Sequence, residues 1–397
     1  MNILIGWEDA EQVDLIAMYL GAGENKVYLA NDPVHFREII QNGTLLDVVV
    51  LSTRYPDLDH AFDLFKQVRA VRPELPIMCG CKPDDIYRLA RYMMGGMKSY
   101  MLRDPNGDFL FLLNAMVESV VESVRAEREQ KVAEKLREEV ESVRKLQETI
   151  IPKNIKPPKG YRICARYEPS QVKVVGGQPV TMAGGDYYDL FPLKGDRFVV
   201  IVGDASGHGM KACMSVITMH TLVRMLKDDE HLNPAEFVAT VNRNLCEQTV
   251  VSADGGFITM AYGVLHSDTN EFHWCSAGHP PPFIQSLDTG KIHMVANEDV
   301  GGMPLGLFDT AEYEQHIFNI PPRSRVLLFT DGLQEAFPEN GGKHQVFGND
   351  GIMATLARTI KQPIEKTLAA LFDDSNAFTQ GAGRHDDTSG VLIERFE

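Results

Sequence analysis

Short apolar runs alternate with segments of helical periodicity at the start of the chain. Continuous runs typical of buried strands occupy residues 3–6, 47–51, 76–79 and 99–102. Apolar residues recur at three- and four-residue spacing in residues 34–41, 61–71 and 84–94. Apolar strands separated by helices are typical of a parallel sheet covered on both faces. The pattern predicts a small doubly wound, flavodoxin-like α/β domain over residues 1–120.

A single long helical pattern follows this domain. Alternating charges crowd residues 127–148, and a helical seam is formed by Ala133, Leu136, Val140, Val143, Gln147 and Ile150. Prolines and a glycine in residues 152–160 end the helix. We therefore predict a helical linker over residues 121–152 that pairs with a second copy of the chain as a coiled coil. A solvated single helix is the alternative.

In residues 160–397 strands follow one another, with helices inserted between them. Strand patterns occupy residues 197–202, 260–265, 271–275, 325–329 and 390–395, and helical patterns occupy residues 210–226, 234–249, 354–360 and 364–372. Successive strands favour antiparallel pairing. The pattern predicts an α+β domain with antiparallel sheets flanked by helices.

Composition excludes several classes of protein. The 397 residues include 39 Lys and Arg against 55 Asp and Glu, a net charge of −16, which argues against a nucleic-acid-binding protein. No apolar run reaches the ~18 residues of a membrane span, and the N-terminus lacks the pattern of a signal peptide. The six scattered cysteines are typical of free thiols in a reducing compartment. We expect a cytoplasmic protein with no membrane partner.

Four carboxylates of the C-terminal region share one setting, a strand that meets a Gly-rich turn. They are Asp186, Asp204, Asp331 and Asp386. Each motif alone is typical of a plain turn. Together they suggest a site for hard cations, which prefer carboxylate and water oxygens. Two ions ~3.5–4 Å apart can share a bridging carboxylate and activate water for attack on phosphorus.

These segments, with Ala-Gly-His-Pro-Pro-Pro at residues 277–282 and Asp-Gly-Leu-Gln-Glu-Ala at residues 331–336, resemble the PPM class of metal-dependent Ser/Thr phosphatases. The similarity covers residues 161–397 and is to the bacterial branch typified by RsbU and SpoIIE. It implies an antiparallel β-sandwich that binds Mn²⁺ or Mg²⁺, with two ions per site. Asp204 would bridge both ions, and the carbonyl of Ala205 would be a further ligand. Asp186 would bind an ion or its water, and Asp331 and Asp386 would bind the second ion.

Three neighbouring residues are candidates for positions behind the ligands. Asp387 is adjacent to Asp386, but strand alternation predicts that its side chain points to the other face. Asp189 is interpreted as structural or as a residue behind the ligands. Eukaryotic relatives carry His two residues after the bridging Asp, where this chain has Ser206. His208 comes two residues later, as a capping residue or a group near the site, so the leaving-group acid stays open.

The N-terminal domain resembles the receiver domain of response regulators. Its acidic pair is only partly present, near Glu8 and Asp9, the phosphoacceptor position is Ser52, and the Lys position is Arg103. A hydroxyl cannot replace the carboxylate that accepts phosphate and binds Mg²⁺. The resemblance therefore implies a receiver-like fold without the phosphoacceptor Asp, acting in docking or dimerisation. A phosphorylatable response regulator is disfavoured.

The resemblance to PPM phosphatases implies hydrolysis of a phosphoserine or phosphothreonine monoester by metal-activated water. The usual substrate of this branch is a phosphorylated STAS-domain anti-anti-sigma protein in partner-switching signalling. The N-terminal domain and linker would regulate activity by moving the helices at residues 210–226 and 234–249. The alternative is a pseudophosphatase scaffold that binds a phosphoprotein without turnover, although such a scaffold has no need of four intact carboxylates.

Overall fold

The chain forms two compact units, Met1–Leu136 and Arg137–Glu397. The computed structural model describes residues 1–21, 23–30, 32–104, 107–172, 180–181, 184–207, 209–248, 256–297, 300–338, 345–381 and 384–397. The division between the units falls inside the segment predicted as a linker. Within the described part of the chain, every helix is too short or too polar to cross a bilayer.

The first unit contains a five-stranded parallel sheet in the order β2-β1-β3-β4-β5. Its strands are β1 (Asn2–Gly6), β2 (Lys26–Ala30), β3 (Val48–Ser52), β4 (Ile77–Cys81) and β5 (Ser99–Leu102). Its helices are α1 (Ala10–Leu20), α2 (Pro33–Gln41), α3 (Ala61–Val71), a 3-10 helix (Pro83–Arg88), α4 (Leu89–Met94) and α5 (Phe109–Ile150), which continues into the second unit. This order is that of doubly wound, flavodoxin-like sheets.

Alternation along the central strands builds a core on each face of this sheet. Ile3 and Ile5 pack on the side of α1 and α5, whereas Leu4 packs on the side of α2 and α3. The prediction of a parallel α/β sheet covered on both faces is therefore confirmed. The edge strand β2 is not predicted by the sequence pattern, because it buries only Ala30 fully and so lacks a continuous apolar run.

The second unit contains two five-stranded antiparallel sheets, in the orders β15-β12-β11-β10-β9 and β14-β13-β16-β17-β6. The strands are β6 (Tyr161–Glu168), β7 (Gln171–Val172), β8 (Val180–Thr181), β9 (Asp186–Leu193), β10 (Arg197–Ala205), β11 (Ile258–His266), β12 (Glu271–Ala277), β13 (Phe283–Ser286), β14 (Ile292–Met294), β15 (His316–Asn319), β16 (Ser324–Phe329) and β17 (Thr388–Arg395). The helices are α6 (Met210–Met225), α7 (Pro234–Cys246), α8 (Gly348–Arg358) and α9 (Ile364–Phe378).

The sheets pack face to face, with helices outside. On β10, Val200 and Val202 point into the core between the sheets, whereas Val199 and Ile201 point to the core under α6 and α7. A third core packs α8 and α9 on the second sheet. The predicted antiparallel sandwich flanked by helices is therefore confirmed, and the strand alternation decides which residues face the second sheet.

Gly263 of β11 provides a test of this packing. A Cβ atom at Gly263 would lie 2.2 Å from Cζ of Phe272 on the next strand. We expect Gly263→Ala to lower the free energy of unfolding by ~1–3 kcal/mol through overpacking, measured by urea denaturation. Gly390→Ala on β17 is the matched control, since its nearest contacts lie at 3.2 Å or more. Equal losses in the two variants would contradict the packing described for β11 and β12.

Candidate active site

Two of the predicted carboxylates lie opposite each other on neighbouring strands of the first sheet. Asp204 near the end of β10 pairs in the antiparallel ladder with Asp186 at the start of β9. Alternation places both on the face that carries Val202 and Tyr188, which is the face toward the second sheet. The first sheet therefore presents two carboxylates at the edge where the sheets meet.

The second sheet brings its acidic residues to the same edge. Asp331 follows the end of β16, and Asp386 and Asp387 directly precede β17. The two segments are neighbours because Phe329 pairs with Gly390. At Gly332, an added Cβ would lie 1.9 Å from the carbonyl oxygen of Asp387, so the Asp-Gly motif permits this close approach.

The carboxylates are close enough to perturb one another. Burial, followed by the negative charges of Asp331 and Asp386, raises the pKa of Asp204 to about 8. Burial, followed by the charge of Asp204, raises the pKa of the fully buried Asp186 well above its usual range. Burial also raises the pKa of Asp331, and that of Asp386 to about 6. The structure thus brings together all four carboxylates that the sequence selected.

One threonine joins the two sheets at this edge. The Thr330 hydroxyl donates a hydrogen bond to Oδ2 of Asp186 at 2.7 Å and accepts one from the backbone N–H of Ser389 at 2.8 Å. Within the described atoms, Oδ1 of Asp331 is buried without a hydrogen-bond partner. A buried carboxylate oxygen in this state lacks the charge compensation that an ion or a donor provides.

The backbone around Ala205 lies directly against the start of β9. A Cβ at Gly185 would lie 2.5 Å from the carbonyl oxygen of Ala205 and 2.9 Å from Oδ1 of Asp204. The Ala205 N–H in turn donates to the carbonyl of Gly185 at 2.9 Å. The glycine before Asp186 is therefore required for the close approach of the two segments that carry the predicted ligands.

The prediction that Asp387 points away from the site is wrong. Its Oδ1 accepts a hydrogen bond from the Ser170 N–H at 2.7 Å, and its Oδ2 accepts one from the Gly185 N–H at 2.6 Å. Its charge also acts on Asp186 and Asp204. Alternation does not apply, because β17 begins only at Thr388. Asp387 therefore fixes the backbone next to Asp186.

Asp189 lies on the opposite face of β9. Its carboxylate accepts two hydrogen bonds from Arg224 of α6, at 2.6 and 2.7 Å, and one from the Tyr187 hydroxyl at 2.8 Å. The structure thus places it in an ion pair under the helices, separated by the sheet from Asp186. His208 lies outside the described residues.

Gln147, which the helical pattern predicts in the dimer seam of the linker, is instead buried within the second unit. It is 1 % exposed, and its side chain hydrogen-bonds to the backbone of that unit. Its Nε2 donates to the carbonyl of Gly184 at 3.1 Å and that of Asp186 at 3.2 Å, and its Oε1 accepts from the Gly184 N–H at 3.0 Å. Helical periodicity cannot distinguish these two uses of one buried position.

The donor set fits a divalent cation in its chemistry. It is composed of buried oxygen atoms with raised pKa values and one carboxylate oxygen without a partner. In the part of the chain that the structure describes, however, no group of three or more His, Cys, Asp or Glu side chains is arranged to hold a metal ion. The carboxylates are gathered at one edge but are not in ligand geometry.

Comparison with known proteins adds independent evidence. A family model described as Stage II sporulation protein E (SpoIIE) matches residues 194–396, just over half of the chain. The chain belongs to this family. The resemblance to the PPM class, also called PP2C-type phosphatases, and to its RsbU and SpoIIE branch is thereby confirmed. The predicted enzyme class, a Ser/Thr phosphatase, is confirmed as well.

Individual relatives are distant. The phosphoserine phosphatase RsbU of Bacillus subtilis (strain 168) is 24% identical over 263 residues, which cover 65% of this chain and 72% of that protein. Phosphoserine phosphatase RsbP of the same organism is 24% identical over 152 residues, 38% of this chain and 36% of RsbP. The SiaA-PP2C domain of Pseudomonas aeruginosa superposes with a TM-score of 0.54 at 15% identity, covering 67% of this chain and 99% of that domain. This last likeness concerns the fold alone.

The raised pKa of Asp204 predicts a pH-dependent effect of Asp204→Asn on the metal-free protein. The folded state favours the protonated carboxyl of Asp204, so this group lowers the free energy of unfolding of the wild type as the pH rises from about 4 to about 8. An Asn side chain does not titrate and causes no such decrease. The variant should therefore gain Tm relative to wild type, more at about pH 8 than at about pH 5. Thermal unfolding in EDTA measures this difference. A difference independent of pH would contradict the burial of Asp204 among acids.

Proposed function

We propose that this chain is a metal-dependent protein serine/threonine phosphatase that hydrolyses a phosphoserine or phosphothreonine monoester. The observation that carries the proposal is the convergence of Asp186, Asp204, Asp331 and Asp386 from two sheets on one edge, where their charges oppose one another. The family and the names of RsbU and RsbP support the same chemistry.

Mn²⁺ or Mg²⁺, with two ions per site, would be held by the four carboxylates and the carbonyl of Ala205. Such cations, when bound, activate water at neutral pH and neutralise charge on the phosphoryl oxygens. Thr330 orients the carboxylate of Asp186 through its hydroxyl, and Asp387 holds the N–H of Gly185, so that the backbone before Asp186 is fixed. We assign Asp387 to this positioning role.

The proposed substrate is a phosphorylated protein, by extension from the phosphoserine phosphatases RsbU and RsbP. A cleft of about 500 Å³ opens beside Asp331 and is lined among others by Pro281, Met294 and Glu335. We propose it as the place where the polypeptide substrate binds. The resemblance stated for this branch suggests a STAS-domain anti-anti-sigma protein as the partner. The burial of mutually repelling carboxylates disfavours the pseudophosphatase scaffold, since binding alone would not require them.

The first test of this function is Asp204→Asn assayed on a phosphoserine peptide with Mn²⁺. Loss of an outer partner of a ligand typically costs ~10–100-fold, so loss of the bridging ligand should lower kcat/KM by at least ~100-fold. Asp268→Asn, an exposed acid after β11, is the control and should retain the wild-type rate. Equal rates in wild type and Asp204→Asn would contradict the proposed role of Asp204, and if both rates equal the background without protein, the scaffold is the better account.

Regulation through the linker is proposed on the contacts of Gln147. Its side chain, in the last turns of α5, hydrogen-bonds to the backbone of Gly184 and Asp186. A shift of α5 would therefore displace the segment that carries Asp186. The exposed Val132, Leu136 and Leu146 of α5 suit pairing with a second copy of the chain, which we propose as the dimer contact.

The N-terminal unit is proposed to act as a receiver-like docking or dimerisation module. Arg103, 3 % exposed, donates to the Ser52 hydroxyl at 2.9 Å and to the carboxylate of Glu8 at 2.6 Å, and it lies over the ring of Trp7. These residues fill the carboxyl end of the sheet, where doubly wound proteins bind ligands. A hydroxyl held by a guanidinium at this place supports a module that is not phosphorylated.

A double-mutant cycle tests the role of Gln147. If the linker is coupled to the site, removal of residues 1–136 should change the phosphatase rate by ~5-fold or more in the wild-type background. In Gln147→Leu, which keeps the volume but removes three hydrogen bonds, the same deletion should change the rate by less than ~2-fold. Thr149→Val, exposed on the same turn, is the control and should behave as wild type. Equal effects of the deletion in both backgrounds would refute the coupling.

A further inference from the structure

The turn after β12 carries a histidine that the proposed reaction does not use. His279 is 2 % exposed, and each of its ring nitrogens has a partner. Nε2 lies 3.0 Å from the carbonyl oxygen of Phe329, and Nδ1 lies 3.0 Å from the hydroxyl of Thr259. These two partners belong to different sheets of the second unit.

The partners determine the tautomer of this ring. A carbonyl oxygen can only accept, so Nε2 carries the proton, and Nδ1 must accept the hydroxyl proton of Thr259. Burial lowers the pKa of His279 to about 4, which keeps the ring neutral and maintains one donor and one acceptor. The imidazole is therefore a fixed two-ended link between a hydroxyl and a carbonyl, not a general acid or base.

Each end of this link lies next to a predicted ligand. Thr259 of β11 is the ladder partner of Asp204 on β10. Phe329 is the last residue of β16, two positions before Asp331. The imidazole thus connects the strand neighbouring Asp204 in one sheet with the strand that leads to Asp331 in the other.

The turn that presents His279 is itself anchored. The Ser276 hydroxyl accepts from the His279 N–H at 3.0 Å and lies 2.8 Å from the His279 carbonyl and 3.0 Å from the Gly301 carbonyl. A Cβ at Gly278 would lie 2.7 Å from the ring of Pro304. These contacts fix the backbone of the turn from which the His279 ring reaches its two partners.

We propose that His279 is a positioning residue that sets the separation of Asp204 and Asp331 and thereby the affinity of the site for divalent cations. The inference rests on the proposed function in taking these carboxylates as ligands. It goes beyond that function because it assigns the connection between the strand beside Asp204 and the strand that leads to Asp331 to one side chain of the Ala-Gly-His-Pro segment. A merely structural histidine would affect stability without a selective effect on cation affinity.

The same strand offers a matched pair of hydroxyl deletions. Tyr262 of β11 also hydrogen-bonds a buried histidine, with its hydroxyl 2.9 Å from Nδ1 of His231. That pair lies under α7, where the ring of His231 stacks on Phe237, and not at the edge that carries the carboxylates. Thr259→Val and Tyr262→Phe each remove a hydroxyl that contacts a histidine Nδ1 and one backbone carbonyl, that of Asp204 at 3.5 Å and that of His231 at 3.0 Å. Only the Thr259 hydroxyl borders the proposed site.

The experiment measures Mn²⁺ binding to the full chain by calorimetry and Tm in EDTA. Thr259→Val should weaken Mn²⁺ affinity by ~10–100-fold, the typical effect of losing a partner behind the ligands, whereas Tyr262→Phe should stay within ~2-fold of wild type. Both variants should lower Tm. Thr259→Ser restores the hydroxyl and should bind as wild type, so that it separates this effect from a folding defect.

A second pair of variants acts on the ring itself. His279→Gln can still donate to the Phe329 carbonyl and should retain more Mn²⁺ affinity than His279→Leu. If His231→Leu lost as much Mn²⁺ affinity as His279→Leu, the proposal would be overturned. Equal Mn²⁺ affinity in Thr259→Val and Tyr262→Phe would overturn it as well, while leaving the phosphatase function intact. If the wild-type protein bound no Mn²⁺ and did not differ from Asp204→Asn, both the role of His279 and the proposed phosphatase function would be overturned.

Discussion

The edge where the two antiparallel sheets meet must keep five mutually repelling carboxylates largely out of water, and the second unit is built around this constraint. Burial is the largest cause that raises the pKa of each candidate ligand. Neighbouring negative charges raise the pKa of Asp186, Asp204 and Asp386 further, that of Asp204 to about 8. Such a cluster is stable only where the surrounding backbone is rigid and its charge can be compensated. In the proposed function, bound divalent cations would supply this compensation.

Rigidity is supplied by groups that hold the backbone near the carboxylates. Asp387 accepts from the N–H groups of Ser170 and Gly185, Thr330 links Asp186 to β17, and His279 spans the two sheets. Glycine at position 185 allows the chain to approach Ala205 closely enough for these contacts. The precision of the site therefore depends on residues that carry none of its chemistry.

The backbone beside Asp186 is also the place where the linker would act in the proposed function. Gln147 bonds the backbone on either side of Gly185, so the helix that leaves the first unit ends on the segment of Asp186. By contrast, the carboxyl end of the N-terminal sheet is closed by Arg103 and Trp7 from within the chain. In the proposed function, a shift of α5 would change the activity of the second unit, and phosphorylation of Ser52 would not be needed.

Both kinds of sheet, most helices and the four carboxylates could be predicted from the sequence, because strand periodicity and Gly-rich turns are encoded within a few neighbouring residues. The sequence could not place Asp387, Gln147 or His279. Asp387 precedes the first residue of β17, so the alternation of side chains along a strand does not predict where it points. The sequence pattern of a buried helical position is the same whether the residue contacts a second copy of the chain or a distant segment of its own chain. Gln147 contacts the backbone of Gly184, 37 residues away. The partners of His279 lie 20 and 50 residues away, so only the packing of one sheet on the other could decide its role.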